Sequence, residues 1–342
     1  MWSRAAALAG LLLTGGCSGI RTKPDAFPIG LFNVDNPEFL MRIREAGFDH
    51  VFPAGTPAQQ DAVAREAGRL GMKVVASPNT ASDASRVKPW PMAAWYLSDE
   101  PDVNKISPEK LRETAARVRT WDGRPQTFTV GQGSEALRYG EIGDIFMLDW
   151  YPVPHLALDS VADQIDTAMR SLPKGKPLWF VVQAFDWRDD KFVTGRFPEH
   201  AEIHFMSWLA IMHGAKGLFF FRFPRPGGKT LFDFPELWRS VELVSRELKA
   251  FQRVLEKGRP SPLPFPPDSK GVEARSWSFQ GRRYVLVLNR RETVQLKLPD
   301  GLLKPEWKLF SLPRSDVKDL LTAAHGAWYV KPYQALVFEG PL

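Results

Sequence analysis

The 342-residue chain has a single cysteine, Cys17, so it carries no intramolecular disulfide framework and no cysteine-only zinc site. Its six histidines show no HExxH or comparable ligand spacing. No GxGxxG motif and no P-loop follows any apolar run, which argues against a dinucleotide or nucleoside-triphosphate site. There is no Lys/Arg block either. The 45 basic and 39 acidic residues are scattered, and the net charge of +6 reads as a solvated surface. That balance leaves room for an anionic ligand but does not indicate nucleic acid. No metal or organic cofactor is implied. What is present is ordinary globular chemistry, 44% hydrophobic and 25% charged with 26 Gly and 29 Pro, so disorder and collagen-like structure are excluded.

The lone cysteine is informative through its position. Met1-Trp2-Ser3-Arg4 supplies a cation, residues 5–13 are apolar, and Thr14-Gly15-Gly16 precede Cys17. A cation, a short apolar run and small residues predict an export signal over 1–17, and the run is too short to span a bilayer. The segment resembles a bacterial lipobox, with Thr14 where Leu is usual and Leu13 one place early. The resemblance implies that Cys17 is lipidated and becomes the mature N-terminus, which would anchor an exported protein at a membrane surface. A plain cleaved signal is the alternative. Residues 18–26 then form a linker.

From residue 27 onward, apolar runs at 27–34, 50–54, 73–77, 93–97, 126–130, 144–150, 177–184 and 217–223 read as strands. Amphipathic segments at 37–46, 58–70, 108–121, 160–172, 199–213 and 234–255 read as helices. The runs are continuously apolar, as expected for parallel strands buried on both faces. Eight such units over 27–257 predict an α/β fold, a (β/α)8 TIM barrel, with an open doubly wound sheet as the alternative. A proline-rich linker covers 258–268. Beyond it the period changes to two, with strands expected at 272–279, 283–289, 293–298, 307–312 and 327–338. Residues 269–342 therefore predict a small antiparallel β-sandwich.

Active sites of such barrels lie at the C-terminal ends of the strands. There the sequence reads Trp95-Tyr96-Leu97-Ser98-Asp99-Glu100-Pro101 after the fourth run and Asp149-Trp150-Tyr151-Pro152 after the sixth. The seventh ends Gln183-Ala184-Phe185-Asp186-Trp187, and the eighth Phe221-Arg222-Phe223-Pro224-Arg225. Carboxylates and aromatics collect at one rim.

An acidic pair closing strand four, Asp-Trp-Tyr-Pro ending strand six and an appended sandwich resemble the clan A glycoside hydrolase superfamily. In that clan an Asn-Glu pair after strand four supplies the general acid/base, and Asp99-Glu100-Pro101 is similar to it, which maps the acid/base onto Glu100. The clan's nucleophile is a Glu at the end of strand seven, where this chain offers Gln183 and then Asp186. Cleaving a glycosidic bond needs a proton donor and a second group that stabilises an oxocarbenium-like transition state. Glu100, beside Asp99 and among apolar walls, suits the first role. For the second, Asp149 leads, with Asp186 behind it. A third scheme is substrate-assisted cleavage, as in hexosaminidases that use an adjacent Asp-Glu pair, with Asp99 orienting the substrate amide.

Among the 23 Phe, 12 Trp and 6 Tyr, residues Trp90, Trp95, Trp150, Tyr151 and Trp187 fall near the rim and are candidates for stacking on sugar faces. Gln183 and Arg222 are further substrate-binding candidates. Arg222 and Arg225, with Lys229, could hold an acidic sugar or balance the site's carboxylates. His155, His204 and His213 read as core or surface residues. The expectation is an exported, membrane-anchored glycosidase acting on an external or periplasmic glycan. The rivals are a non-catalytic carbohydrate-binding lipoprotein on the same barrel and an envelope scaffold. Sugar, linkage, stereochemistry and oligomeric state are not legible.

Overall fold

The computed structural model describes residues 26–77, 85–263, 272–291, 296–297, 306–310, 321–324 and 327–342. The predicted lipobox with Cys17 lies outside them.

The barrel staves are β1 (Ile29–Val34), β2 (His50–Pro53), β3 (Lys73–Ala76), β4 (Met92–Tyr96), the pair β5 (Gln126–Thr127) and β6 (Thr129–Val130), β7 (Phe146–Asp149), β8 (Leu178–Gln183) and β9 (Leu218–Phe221). Every neighbouring pair is parallel, and β1 pairs with β9 (Ile29 beside Leu218), so the sheet curls back on itself. The fifth stave is split at Phe128: β5 pairs with β4 and β6 with β7. The protein is therefore a TIM barrel, as its apolar runs predict. Continuous burial of strands such as Leu178–Gln183 follows from helices packing on their outer face and side chains filling the inner one. Phe32, Phe52, Val75, Tyr96, Met147, Trp179 and Phe219 fill the interior. Gly30 is required on β1, because a Cβ there would lie 2.0 Å from the Phe219 ring.

Outside run α1 (Leu40–Glu45), α2 (Pro57–Arg69), α3 (Pro108–Trp121), the one-turn α4 (Ala136–Tyr139), α5 (Ser160–Ser171), α6 (His200–Met212) and α7 (Pro235–Lys257). Local chemistry sets their starts. Thr56 and Gln59 form a capping box before α2, and Ser107 caps α3, each with Pro at the first turn.

After β9 comes a hairpin of β10 (Pro224–Arg225) and β11 (Lys229–Thr230). The C-terminal part is antiparallel. β12 (Arg259–Pro260), β13 (Val272–Phe279), β14 (Arg282–Asn289), β16 (Lys308–Leu309) and β19 (Gln334–Pro341) make one sheet; β15 (Leu296–Lys297), β17 (Leu321–Ala324) and β18 (Ala327–Val330) make another. Val285, Val287, Val330, Leu336 and Phe338 form a small core of their own. Two boundaries differ from expectation. Arg259–Pro260, read as linker, adds an edge strand to β13. The strand expected at 327–338 is two strands in different sheets, broken where Tyr333 takes φ +48° after Pro332.

Candidate active site

The chain leaves β4 through Leu97 and Ser98 into a turn that presents Asp99 and Glu100. Glu100 adopts φ +37°, a left-handed conformation that costs a non-glycine residue roughly 1–3 kcal/mol. The turn is held by the Asn104 amide donating to Glu100 O (2.8 Å), the Asn104 side chain donating to Asp99 O (2.9 Å) and Ile106 N–H donating to Pro101 O (2.8 Å). Those bonds over-determine the strained residue and aim its carboxyl over the end of the fifth stave. There a Cβ on Gly131 would lie 3.3 Å from Glu100 Oε1, so glycine makes room for the acid.

On the next stave, Asp149 is the last residue of β7 and is 7% exposed. Glu100 on the turn after β4 is near enough for the two carboxyls to influence each other's titration, and two acids brought together away from water resist ionising together. Burial and the charges of Asp99 and Asp102 raise the Glu100 pKa. Burial and Glu100 push Asp149 well above the usual carboxylate range. Asp149 Oδ1 is buried and has no donor among the described residues. Tyr151 adjoins Asp149, and its own pKa is raised by burial and by that carboxyl.

Tyr96, one residue before the end of the apolar run, points into the barrel. Its hydroxyl contacts Asp99 Oδ1 (2.5 Å) and Thr129 Oγ1 (2.9 Å). Asp102 accepts from Gly131 N–H (3.1 Å), pinning the fourth and fifth staves together. Sequence reading set Tyr96 beside Glu100 only as an apolar wall, and missed Asp102, Thr129 and Gly131 as parts of this cluster. Strand alternation carries the signal for Tyr96: if Trp95 faces the helices, Tyr96 faces the interior.

The structure therefore brings Asp99, Glu100, Asp149 and Tyr151 together and sends several other expected site residues elsewhere. Trp95 is fully buried in the outer, helix-facing core. Trp90 precedes β4 and so lies at the opposite end of the stave from the mouth. Trp150 turns outward, its indole N–H donating to Ser160 Oγ (2.9 Å). Gln183 is wholly buried: Oε1 accepts from Val153 N–H (2.9 Å) and Nε2 donates to Val153 O (2.7 Å). It is a strut between β8 and the loop after β7, with its amide spent on backbone. Asp186 is held by the Arg188 guanidinium (2.5 Å) and caps the following turn; burial would raise its pKa, but Arg188 holds it below the ordinary value. Arg222 pairs with Asp190 (2.8 Å) and lies over Phe185 and Phe221, and Arg225 pairs with Asp189. Trp187 stays at the mouth, packed on Tyr151 and Phe185. His204 and His213 bond to carboxylates on the barrel's outside, and His155 is exposed. Among the described residues no group of three or more His, Cys, Asp or Glu is arranged to hold a metal ion.

No family model matches the chain, and no curated protein is similar to it in sequence. Solved structures are similar in fold. A GH30 endoxylanase from Clostridium papyrosolvens superposes with a TM-score of 0.56 at 11% identity, covering 93% of this chain and 96% of that one. Eubacterium rectale Amy13B gives 0.62 at 9% identity over 93% and 96%. A glycoside hydrolase family 5 protein from Bacteroides vulgatus gives 0.59 at 12% identity over 92% and 89%. At these identities the likeness establishes the architecture, barrel and appended domain together, and leaves the chemistry to the site.

Proposed function

We propose that the protein is a glycoside hydrolase in which Glu100 donates a proton to the glycosidic oxygen and Asp149 is its partner. The observation that carries this reading is the placing of two acids at the mouth of the barrel, Glu100 on the strained turn after β4 and the buried Asp149 at the end of β7, both with pKa values raised by burial and by neighbouring acids. A carboxylic acid whose pKa is raised toward the working pH is what departure of a sugar alkoxide requires. As the C–O bond breaks, its electron pair stays on the leaving oxygen, which takes the Glu100 proton. The pair is then doubly negative beside the positive sugar carbon, which it stabilises electrostatically. Water adds to that carbon and its proton returns to the pair. Asp149 serves as the electrostatic partner in this scheme. Asp99, held by Tyr96, is placed to orient a substrate amide if the substrate carries one. That is the hexosaminidase-like variant of the same proposal.

The test is hydrolysis of a glycan and aryl-glycoside panel by wild type and Glu100→Gln. The variant should lose about 10²–10⁴ in kcat while still binding the substrate. Full activity in Glu100→Gln would remove the proposal's central residue. The second reading, a carbohydrate-binding barrel without turnover, is favoured by the end of β8: Gln183 stands there as a strut, and the acids that follow are paired with arginines. A wild type that binds glycans and cleaves none would establish it.

We also propose export and anchoring through a lipidated Cys17. Mass spectrometry of the mature N-terminus should find an acylated residue 17, and Cys17→Ser should release the protein from the membrane fraction. No helix among the described residues is long and apolar enough to cross a membrane.

A further inference from the structure

The carboxyl pair sits on a seam between two unlike halves of the barrel mouth. On the side of the fourth and fifth staves the turns carry Ser98, Asp99, Asp102 and Gln132, all at least partly accessible. On the other side an aromatic row leads away from Asp149. Tyr151 packs against Phe185 (ring centroids 5.0 Å apart), Phe221 (5.7 Å) and Trp187 (6.2 Å), and Trp187 packs against Phe192 (4.9 Å).

The row surfaces at Phe192, 55% exposed, and Val193, 95% exposed. Leu156, 51% exposed, comes from the adjoining loop, which the His155 ring nitrogen ties to Thr194 O at 3.3 Å. The acids of this region are occupied: Asp186 by Arg188, Asp189 by Arg225 and Asp190 by Arg222.

An exposed apolar tip continuous with the barrel mouth through packed rings marks a surface that meets an apolar ligand. A polysaccharide carries hydroxyls on both sides of the bond to be cut, and hydroxyls laid along this row would lose water without gaining partners. Resting on the glycosidase reading above, we propose that the substrate is an amphiphilic glycoside. Its sugar is held on the Asp99–Asp102 side, and its aglycone, a hydrocarbon chain or aryl group, lies along Tyr151, Trp187, Phe192 and Val193. The bond cut is the one joining the two halves of the molecule. Glu100 protonates the oxygen on the aglycone side, the aglycone leaves as the alcohol, and water completes the sugar.

The experiment compares octyl and methyl glucosides, galactosides and xylosides below their micelle concentrations. Binding is measured by calorimetry in Glu100→Gln, where the glycosides stay intact, and hydrolysis in wild type. For at least one sugar the octyl glycoside should bind about tenfold or more tighter than its methyl counterpart, from the burial of chain methylenes. Phe192→Ser combined with Val193→Ser, and separately Leu156→Ser, should abolish most of that gain and leave the methyl glycoside's affinity unchanged. Both sets lie at exposed positions, and unchanged thermal unfolding verifies that the fold is kept. Equal affinity for octyl and methyl glycosides, or a gain that survives both variants, overturns the proposal. Hydrolysis of both glycosides at equal efficiency would defeat the aglycone site and leave the hydrolase standing. A chain-length gain lost in the variants, without hydrolysis by wild type, would support the amphiphile site and defeat the hydrolase.

Discussion

A buried carboxyl with a raised pKa is the most consequential feature at the scale of single residues, because it links activity to stability with opposite signs. Asp149 titrates near 3.8 in an unfolded chain and well above that when folded, chiefly through burial and then through Glu100. Its contribution to stability is therefore complete below pH 3.8 and is lost as pH rises through the folded pKa. Asp149→Asn removes that loss. The variant should be more stable than wild type in neutral and alkaline solution, by about 0.5–2 kcal/mol, and nearly equal to it in acid, while hydrolysis falls. Denaturant titrations of both proteins at acidic and alkaline pH check this. A variant less stable at every pH would mean that Asp149 is a structural acceptor instead. Glu100 follows the same logic, and its positive φ adds a second cost that the hydrogen bonds of its turn sustain.

At the scale of elements, the loop after β7 owes its shape to β8. Gln183 reaches across to Val153 and satisfies both its N–H and its C=O, and this fixes the segment that carries Tyr151. Gln183→Ala would strand two buried backbone groups and leave a cavity, at a cost of roughly 2–5 kcal/mol. Chemical unfolding should show that loss together with reduced hydrolysis. If Gln183 instead contacted substrate, the same variant would keep its stability and lose only binding. Sequence reading placed this residue at the right strand end and gave it the wrong task, for a physical reason. In a parallel barrel both faces of a strand are apolar, so the alternation that would tell inward from outward is silent in the hydropathy. The same silence put Trp95 at the rim along with Tyr96. The staves themselves were legible, because continuous apolar runs separated by amphipathic ones admit few other arrangements. So was the acidic turn Asp99-Glu100-Pro101, whose charges stand out at the end of such a run. So was Asp149 as the leading candidate for the second carboxylate, although 48 residues lie between it and Glu100 and only barrel closure brings neighbouring rims together. In the C-terminal sheets the reading ran one strand through Pro332, a residue that breaks strands, and the chain turns there.

The largest scale is the join between barrel and C-terminal sheets, which share one core. Phe251 of α7 packs against Trp277, Tyr284 and Phe310, and Phe205 of α6 against Tyr333. Beside this apolar seam lies a charged one. His213, just past α6, has Nδ1 2.7 Å from Asp166 of α5 and Nε2 3.0 Å from Glu273 of β13. Arg290 joins Glu273 (2.9 Å) to Asp163 (3.2 Å), and Arg275 donates to Ile211 O (3.1 Å). Burial alone would lower the His213 pKa, but hydrogen bonds to Glu273 and Asp166 outweigh it and raise it above 6.5. The linkage runs accordingly: the stability that His213 adds is complete below its unfolded pKa of 6.5 and disappears as pH rises through the folded value. His213→Gln should therefore cost about 1–3 kcal/mol in mildly acidic solution, where the imidazolium bridges two carboxylates, and progressively less in alkaline solution. Thermal unfolding of wild type and variant across that pH range reads the difference. Because the aromatic seam binds the two parts into one core, wild type should melt in a single transition, and the variant should lower that transition without splitting it. A C-terminal domain that melts separately in the variant would show that the charged bridge, rather than the shared core, makes the molecule one cooperative unit.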